Sequence, residues 1–106
     1  SLSATSADDF NYISKQAEKA FSKIIEKKNK ELIFSNNKYL KLHPAIQREF
    51  LRLIIKNMKR DLRDIESANI EEARKILASE KNKIQKMNFK RLKLTRKGDK
   101  VSLSLI

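Results

Sequence analysis

The sequence has no cysteine and no tryptophan, and only one glycine, one proline and one histidine. Without cysteine the fold has no disulfide and no thiol nucleophile. One histidine leaves too few ligands for a zinc site, and one glycine cannot form a phosphate-cradling glycine loop. The acidic residues lie at helix starts or among Lys and Arg, a pattern typical of solvated charge pairs. We therefore predict no catalytic residue, no metal and no cofactor within these residues.

Long apolar runs are also missing, since the run Leu53-Ile54-Ile55 is followed directly by Lys56. A membrane-spanning helix needs about 20 apolar residues, so we expect no membrane partner. The chain begins Ser1-Leu2-Ser3, without the basic start and cleavage site of a secretory signal. Together with the lack of cysteine, this start favours a cytoplasmic protein, and we interpret residues 1–106 as a single domain cut from a larger enzyme.

Positive charge is concentrated at the end of the chain. The 25 Lys and Arg residues outnumber the 13 Asp and Glu residues, and the net charge is +12. Residues 81–106 contribute most of this excess, with nine Lys or Arg and one Asp. A sequence pI of about 10.1 is typical of nucleic-acid-binding domains, so a polyanionic partner is expected. Coding bias toward lysine is the alternative origin of the excess.

Apolar residues recur with helical periodicity in three segments. The first predicted helix runs from Ala7 to Lys30, with Ser6 as its N-cap and Asp8 and Asp9 in its first turn. Its exposed side carries a row of lysines that could contact phosphates or only water: Lys15, Lys19, Lys23 and Lys27. The other two predicted helices are 44–66, which starts at Pro44, and 69–79, which is capped by Ser67.

The periodicity changes to two near the end of the chain. Apolar and polar residues alternate in 92–95 and in 100–105, and Arg96-Lys97-Gly98-Asp99 between them is a good turn sequence. Segment 31–34 is a short strand or an extended connection, and 80–86 is a polar link. The predicted fold is mainly α (α+β): a small three-helix domain with a C-terminal β-hairpin packed on the helices.

Two surfaces are candidates for binding phosphates. The first is the basic stripe on the second helix, formed by Arg48, Arg52, Lys56, Lys59, Arg60 and Arg63. The second is the hairpin, whose polar face and tip carry Arg91, Lys93, Arg96, Lys97 and Lys100. Either surface could instead be merely solvated. Contacts from such residues position a nucleic acid without reading its sequence.

Aromatic side chains for stacking on unpaired bases are scarce. Tyr12 and Tyr39 are possible, whereas Phe10, Phe21 and Phe50 lie on the predicted core faces. We therefore expect recognition by shape rather than base reading. His43 directly precedes Pro44 and is interpreted as a local structural residue at a helix start.

The order of several motifs resembles one enzyme family. The run Leu40-Lys41-Leu42-His43-Pro44-Ala45-Ile46-Gln47-Arg48-Glu49-Phe50-Leu51-Arg52 is similar to a pattern in the middle domain of tRNA(Ile)-lysidine synthase, a PP-loop ATPase family enzyme. Segments 8–13 and 69–72 look like the starts of that domain's first and third helices. Segment 92–101 resembles its closing hairpin, with Lys97 where the family usually has tyrosine.

The resemblance implies a tRNA-binding domain of a ligase that uses ATP to convert the wobble cytidine of an isoleucine tRNA to lysidine. It implies ATP with Mg, and lysine, for a preceding catalytic domain, whose SGGxDS motif does not occur in these residues. The implied partners are tRNA, that catalytic domain and, in a homodimer of the parent enzyme, a second copy of it. The alternative is a protein-interaction or interdomain scaffold module that binds no nucleic acid.

Overall fold

A computed structural model describes residues 2–60, 62–81 and 83–106, with side chains from residue 10 onward. Within these residues the chain is an α+β domain with four helices and one five-stranded antiparallel sheet. The predicted α+β class and the C-terminal hairpin are confirmed, whereas the three-helix description is wrong. The elements in chain order are α1 (Leu2–Ile24), β1 (Glu26–Lys28), β2 (Glu31–Ser35), α2 (Asn36–Leu40), α3 (Pro44–Lys59), α4 (Ser67–Ala78), β3 (Gln85–Phe89), β4 (Leu92–Lys97) and β5 (Lys100–Leu105).

The sheet has the strand order β1-β2-β5-β4-β3. Two of its strands were not predicted. Strand β1 occupies residues assigned to the first helix, which ends at Ile24. The chain then turns back at Asn29 and Lys30, both with positive φ, so that β1 pairs with β2. Strand β3 replaces part of the predicted polar link, because Met87 and Phe89 alternate with exposed residues and are buried. The hairpin is therefore the centre of a larger sheet.

One face of the sheet forms the core. Leu94 of β4 lies opposite Leu103 of β5 and Met87 of β3, and Leu103 is in turn opposite Leu32 of β2. Helix α3 contacts β5, and α4 contacts both β3 and β4. Phe50 of α3 packs edge-on against Phe34 of β2, with ring centroids 5.2 Å apart. The helices thus cover one side of the sheet, and the opposite side is polar except for Ile33 of β2.

The predicted helix bounds need three corrections. Helix α1 already begins at Leu2, so Ser6 lies within it rather than capping it, and the Asp8 and Asp9 carboxylates lie outside the described side chains. Helix α3 starts at Pro44 as predicted but ends at Lys59, because Arg60 takes a left-handed conformation with φ 71°. Helix α4 starts at Ser67, and its cap is Glu66, whose N–H donates to Oδ1 of Asn69 at 2.9 Å.

None of the described helices is both long enough and apolar enough to cross a membrane.

Candidate nucleic-acid interface

Arg48 of the predicted helical stripe is held by an acidic residue of α4. Its Nε lies 2.8 Å from Oε1 of Glu71, and Nη1 of Arg74 lies 2.8 Å from Oε2 of the same carboxylate. Hydrogen bonds from Arg48 and then Arg74 lower the pKa of Glu71, so this carboxylate stays ionised at neutral pH. Its negative charge offsets part of the positive potential at the start of α3.

Acidic side chains also flank other positions of the stripe. Nη1 of Arg52 is 3.6 Å from Oε2 of Glu49, and Nζ of Lys59 is 3.0 Å from Oδ2 of Asp64. The hydrogen bond from Lys59 lowers the pKa of Asp64. Arg63 is exposed between α3 and α4. The stripe is therefore interrupted by negative charge along its length.

Lys56 and Arg60 form no ion pair with any described side chain. They line a groove of about 480 Å³ between α1 and α3, together with the apolar side chains of Phe21 and Leu53. Glu18 of α1 lines the same groove. Of the predicted stripe, these two cations are the ones best placed to meet an external anion.

The end of α3 and the β3–β4 turn bring basic residues from distant parts of the sequence together. Arg60 and Arg91 line one groove of about 330 Å³, whose apolar residues include Leu105 and Ile106. Lys90 and Arg91 form the turn, with φ of 47° and 69°, and both are exposed. We call Arg60, Lys90 and Arg91 the basic junction. Lys90 was missed by sequence reasoning, although its place between two alternating segments is a hairpin signal.

The solvent side of β3, β4 and β5 forms a continuous polar surface. Lys93 lies between Asn88 and Ser104 on the neighbouring strands, and Lys97 lies opposite Lys100. None of the three strands contains an acidic residue. We call this surface the outer sheet face: Lys86, Asn88, Lys93, Thr95, Lys97, Lys100, Ser102 and Ser104.

The surroundings of the outer sheet face differ between the end of β4 and the edge toward β2. At one end of β4 it continues into the basic junction, because Arg91 precedes the first residue of that strand. Toward β2 and β1 the same side of the sheet carries the apolar Ile33, which lies opposite Ser102, and charges of both signs, Glu26, Lys28 and Glu31. The positive surface without acidic side chains is therefore confined to β3, β4 and β5, because at the basic junction Asp64 lies close enough to Lys90 for this lysine to lower its pKa.

Arg96 lies apart from the other basic residues of the hairpin. It continues the buried positions Leu92 and Leu94 of β4, so its side chain is on the helix side of the sheet. Its Nη1 donates to the backbone oxygen of Ile76 at 2.8 Å, and it also reaches the backbone oxygens of Leu77 and Ser79. The last carbonyls of a helix lack partners within the helix. Arg96 therefore caps the C-terminal end of α4 instead of facing solvent at the hairpin tip.

Asp99 in the β4–β5 turn is the acidic residue closest in sequence to Lys97 and Lys100. Its carboxylate accepts hydrogen bonds from Oγ of Ser35 at 2.6 Å and from the backbone N–H of Asn37 at 2.7 Å. These two hydrogen bonds, the one from Ser35 first, lower the pKa of the Asp99 carboxyl. The negative charge of Asp99 is thus used to tie the turn to the start of α2.

The aromatic residues differ from expectation in two places. Tyr39 is fully buried among Phe34 and Phe50, and burial raises the pKa of its hydroxyl well above the usual range. It cannot stack on a base. Phe10, predicted to face the core, is 61% exposed, and Tyr12 is 62% exposed. Both lie in the part of α1 before its fully buried residue Ala17, where the helix has little cover.

His43 has the local role expected of it. Its Nδ1 accepts a hydrogen bond from the backbone N–H of Ala45 at 3.1 Å, which caps the start of α3. Among the described residues, no group of three or more His, Asp or Glu side chains is arranged to hold a metal ion.

Comparisons of the sequence with protein-family models and with curated proteins found no match.

Proposed function

We propose that this chain is a tRNA-docking accessory domain of an ATP-dependent ligase resembling tRNA(Ile)-lysidine synthase. The observation that supports this function best is the outer sheet face, which carries four lysines and no acidic residue. Lysine side chains and hydroxyls are the groups that proteins use for phosphate oxygens. The domain would hold tRNA by its backbone, and its partner catalytic domain would carry out the chemistry.

The ligase assignment itself comes from the motif resemblance. In that proposal ATP with Mg, and lysine, bind to the catalytic domain, and no residue of this chain is assigned to them. Incorporation of labelled lysine into an isoleucine tRNA by the enzyme that contains this domain would test the assignment.

The basic junction extends the docking surface around the end of the sheet. Arg60 and Arg91 are both exposed and share one groove, and neither forms an ion pair with a described side chain. Arginine can bind phosphate with two parallel N–H donors, so a pair of them at one groove suits a bend of the RNA backbone. By contrast, Arg48 and Arg52 have acidic partners within the domain.

Replacing both junction arginines, Arg60→Asn and Arg91→Asn, is expected to weaken binding of an isoleucine tRNA transcript by about tenfold. Asparagine tolerates the left-handed backbone of both positions, so the change removes charge with little strain. The binding is measured by fluorescence anisotropy at constant salt.

The matched control is the pair Arg48→Gln and Arg52→Gln, which removes the same charge from α3. Because both arginines already have acidic partners, this pair should reduce affinity by less than about threefold. A larger loss in the control than in the junction variant would count against the proposed surface. Absence of tRNA binding by the unmodified domain would contradict the proposed function altogether.

An interdomain scaffold is the second candidate, and the exposed aromatic residues of α1 favour it. Tyr12 and Ile13 border a shallow groove of about 370 Å³ that also contains His43 and Ile46. Exposed apolar side chains next to such a groove are typical of a surface that another domain covers. A domain that binds the catalytic domain tightly, but binds no tRNA at any salt concentration, would favour this function over the first.

A further inference from the structure

The outer sheet face combines two kinds of side chain in a regular arrangement. Thr95 lies directly opposite Ser102, and Ser104 is two residues further along β5. Lysines lie on both sides of these three hydroxyl side chains, with Lys93 toward one end of β4 and Lys97 at the other. The two lysines are four positions apart on the strand, which corresponds to about 13 Å.

We propose that the outer sheet face binds a double-helical segment of RNA through its phosphates and ribose 2′-hydroxyls. This inference rests on the proposed tRNA-docking function and names the part of the RNA that the sheet contacts. A tRNA contains both helical stems and single-stranded loops, and these two call for different protein surfaces.

The absence of aromatic residues on this face excludes the usual way of binding unpaired bases. Sheets that bind single strands present aromatic rings on which the bases stack. Among the described strands β3, β4 and β5, the aromatic residue is Phe89, which lies on the helix side and is 9% exposed. Tyr39 is buried, and Tyr12 is on α1. An unpaired base would find no ring to stack on at the outer sheet face.

The hydroxyl side chains at the centre of the face can form hydrogen bonds with the ribose of RNA. A serine or threonine hydroxyl can donate and accept a hydrogen bond, and so can a ribose 2′-hydroxyl. The wide, shallow minor groove of an RNA helix displays its 2′-hydroxyls. Short side chains at Thr95, Ser102 and Ser104 leave room for this groove to approach the sheet, while the longer lysines reach the phosphates on either side.

The face is too small to cover a long helix. At about 13 Å along the strand direction it spans only a few phosphates, which suits a short stem rather than an extended duplex. The proposed contacts go to phosphates and ribose 2′-hydroxyls rather than to base edges, so affinity should depend little on the sequence of the stem.

The test compares three labelled probes: an RNA duplex of about 16 base pairs, a DNA duplex of the same length and corresponding sequence, and an unstructured RNA single strand of about 16 nucleotides. We expect the RNA duplex to bind about tenfold more tightly than either of the other two. Replacing both serines, Ser102→Ala and Ser104→Ala, should remove most of the preference for RNA over DNA duplex and leave DNA affinity unchanged. Ser14→Ala on α1, a partly buried serine like Ser102 and Ser104, is the control and should change neither affinity.

The possible outcomes separate this inference from the proposed function. If the single strand binds as tightly as the RNA duplex, or more tightly, the sheet does not select a helix and the inference is wrong, although tRNA docking stands. Equal affinity for RNA and DNA duplexes, or an unchanged preference in the double serine variant, would overturn the role of the 2′-hydroxyl. Failure to bind tRNA itself would overturn the proposed function. Thermal unfolding followed by circular dichroism checks that each variant is folded.

Discussion

Reversing the charge of three lysines on the outer sheet face should weaken tRNA binding by about 100-fold or more. The substitutions are Lys93→Glu, Lys97→Glu and Lys100→Glu. Each one removes an attractive phosphate contact and adds a repulsive one on a surface that has no acidic residue of its own. All three positions point to solvent or are only partly buried, so the fold should be retained. Affinity for an isoleucine tRNA transcript is the measurement.

A matched triple variant on α1 separates local contacts from total charge. Lys15→Glu, Lys19→Glu and Lys23→Glu change the net charge equally, and these lysines are exposed on α1, whose main contacts are with α3. Only the long-range electrostatic attraction should weaken, so we expect tRNA affinity to fall by about threefold at moderate salt. Equal losses for the two triple variants would mean that the outer sheet face is not the contact surface. This comparison also decides between the two interpretations of the α1 lysine row.

Replacing Arg96 with methionine should lower the free energy of unfolding by about 2–4 kcal/mol. The guanidinium donates to the last carbonyls of α4 and lies next to the negative end of that helix. Methionine keeps much of the side-chain volume but leaves those carbonyls without a partner. Since small domains are stable by only about 5–15 kcal/mol, urea denaturation should detect the change readily.

Lys97→Met, one residue further along the same strand, is the control for Arg96→Met. Because Lys97 is exposed on the outer sheet face, its replacement should change stability by less than about 0.5 kcal/mol. For tRNA affinity the order should be reversed: Lys97→Met should weaken binding, and folded Arg96→Met should bind normally. An Arg96→Met variant with unchanged stability and reduced tRNA affinity would contradict the capping role.

The sequence allowed prediction of elements whose signals are local. Pro44 marks the start of α3, and the period-two pattern around Gly98 marks the β4–β5 hairpin. The strands that were missed are short. β1 is only three charged residues, Glu26–Lys28, so no apolar alternation could reveal it, and it forms because β2 supplies a pairing edge.

The candidate interface was predicted only in part, because side-chain pairing depends on tertiary structure. The ion pair of Arg52 with Glu49 has a helical spacing of three that is visible in the sequence, but the pairing of Arg48 with Glu71 depends on how α4 packs beside α3. Arg96 shows the opposite situation. The sequence analysis placed Arg96 at the hairpin tip, although it alternates in step with the inward residues Leu92 and Leu94, because the carbonyls that make its inward position favourable belong to another element.

The central claim is that exposed cations of this domain bind the phosphates of RNA, and the salt dependence of tRNA affinity tests it most directly. If the outer sheet face and the basic junction together neutralise about four to six phosphates, log K should fall against log salt with a slope of about −3 to −5. An affinity that stays constant between about 50 and 200 mM salt would contradict the claim.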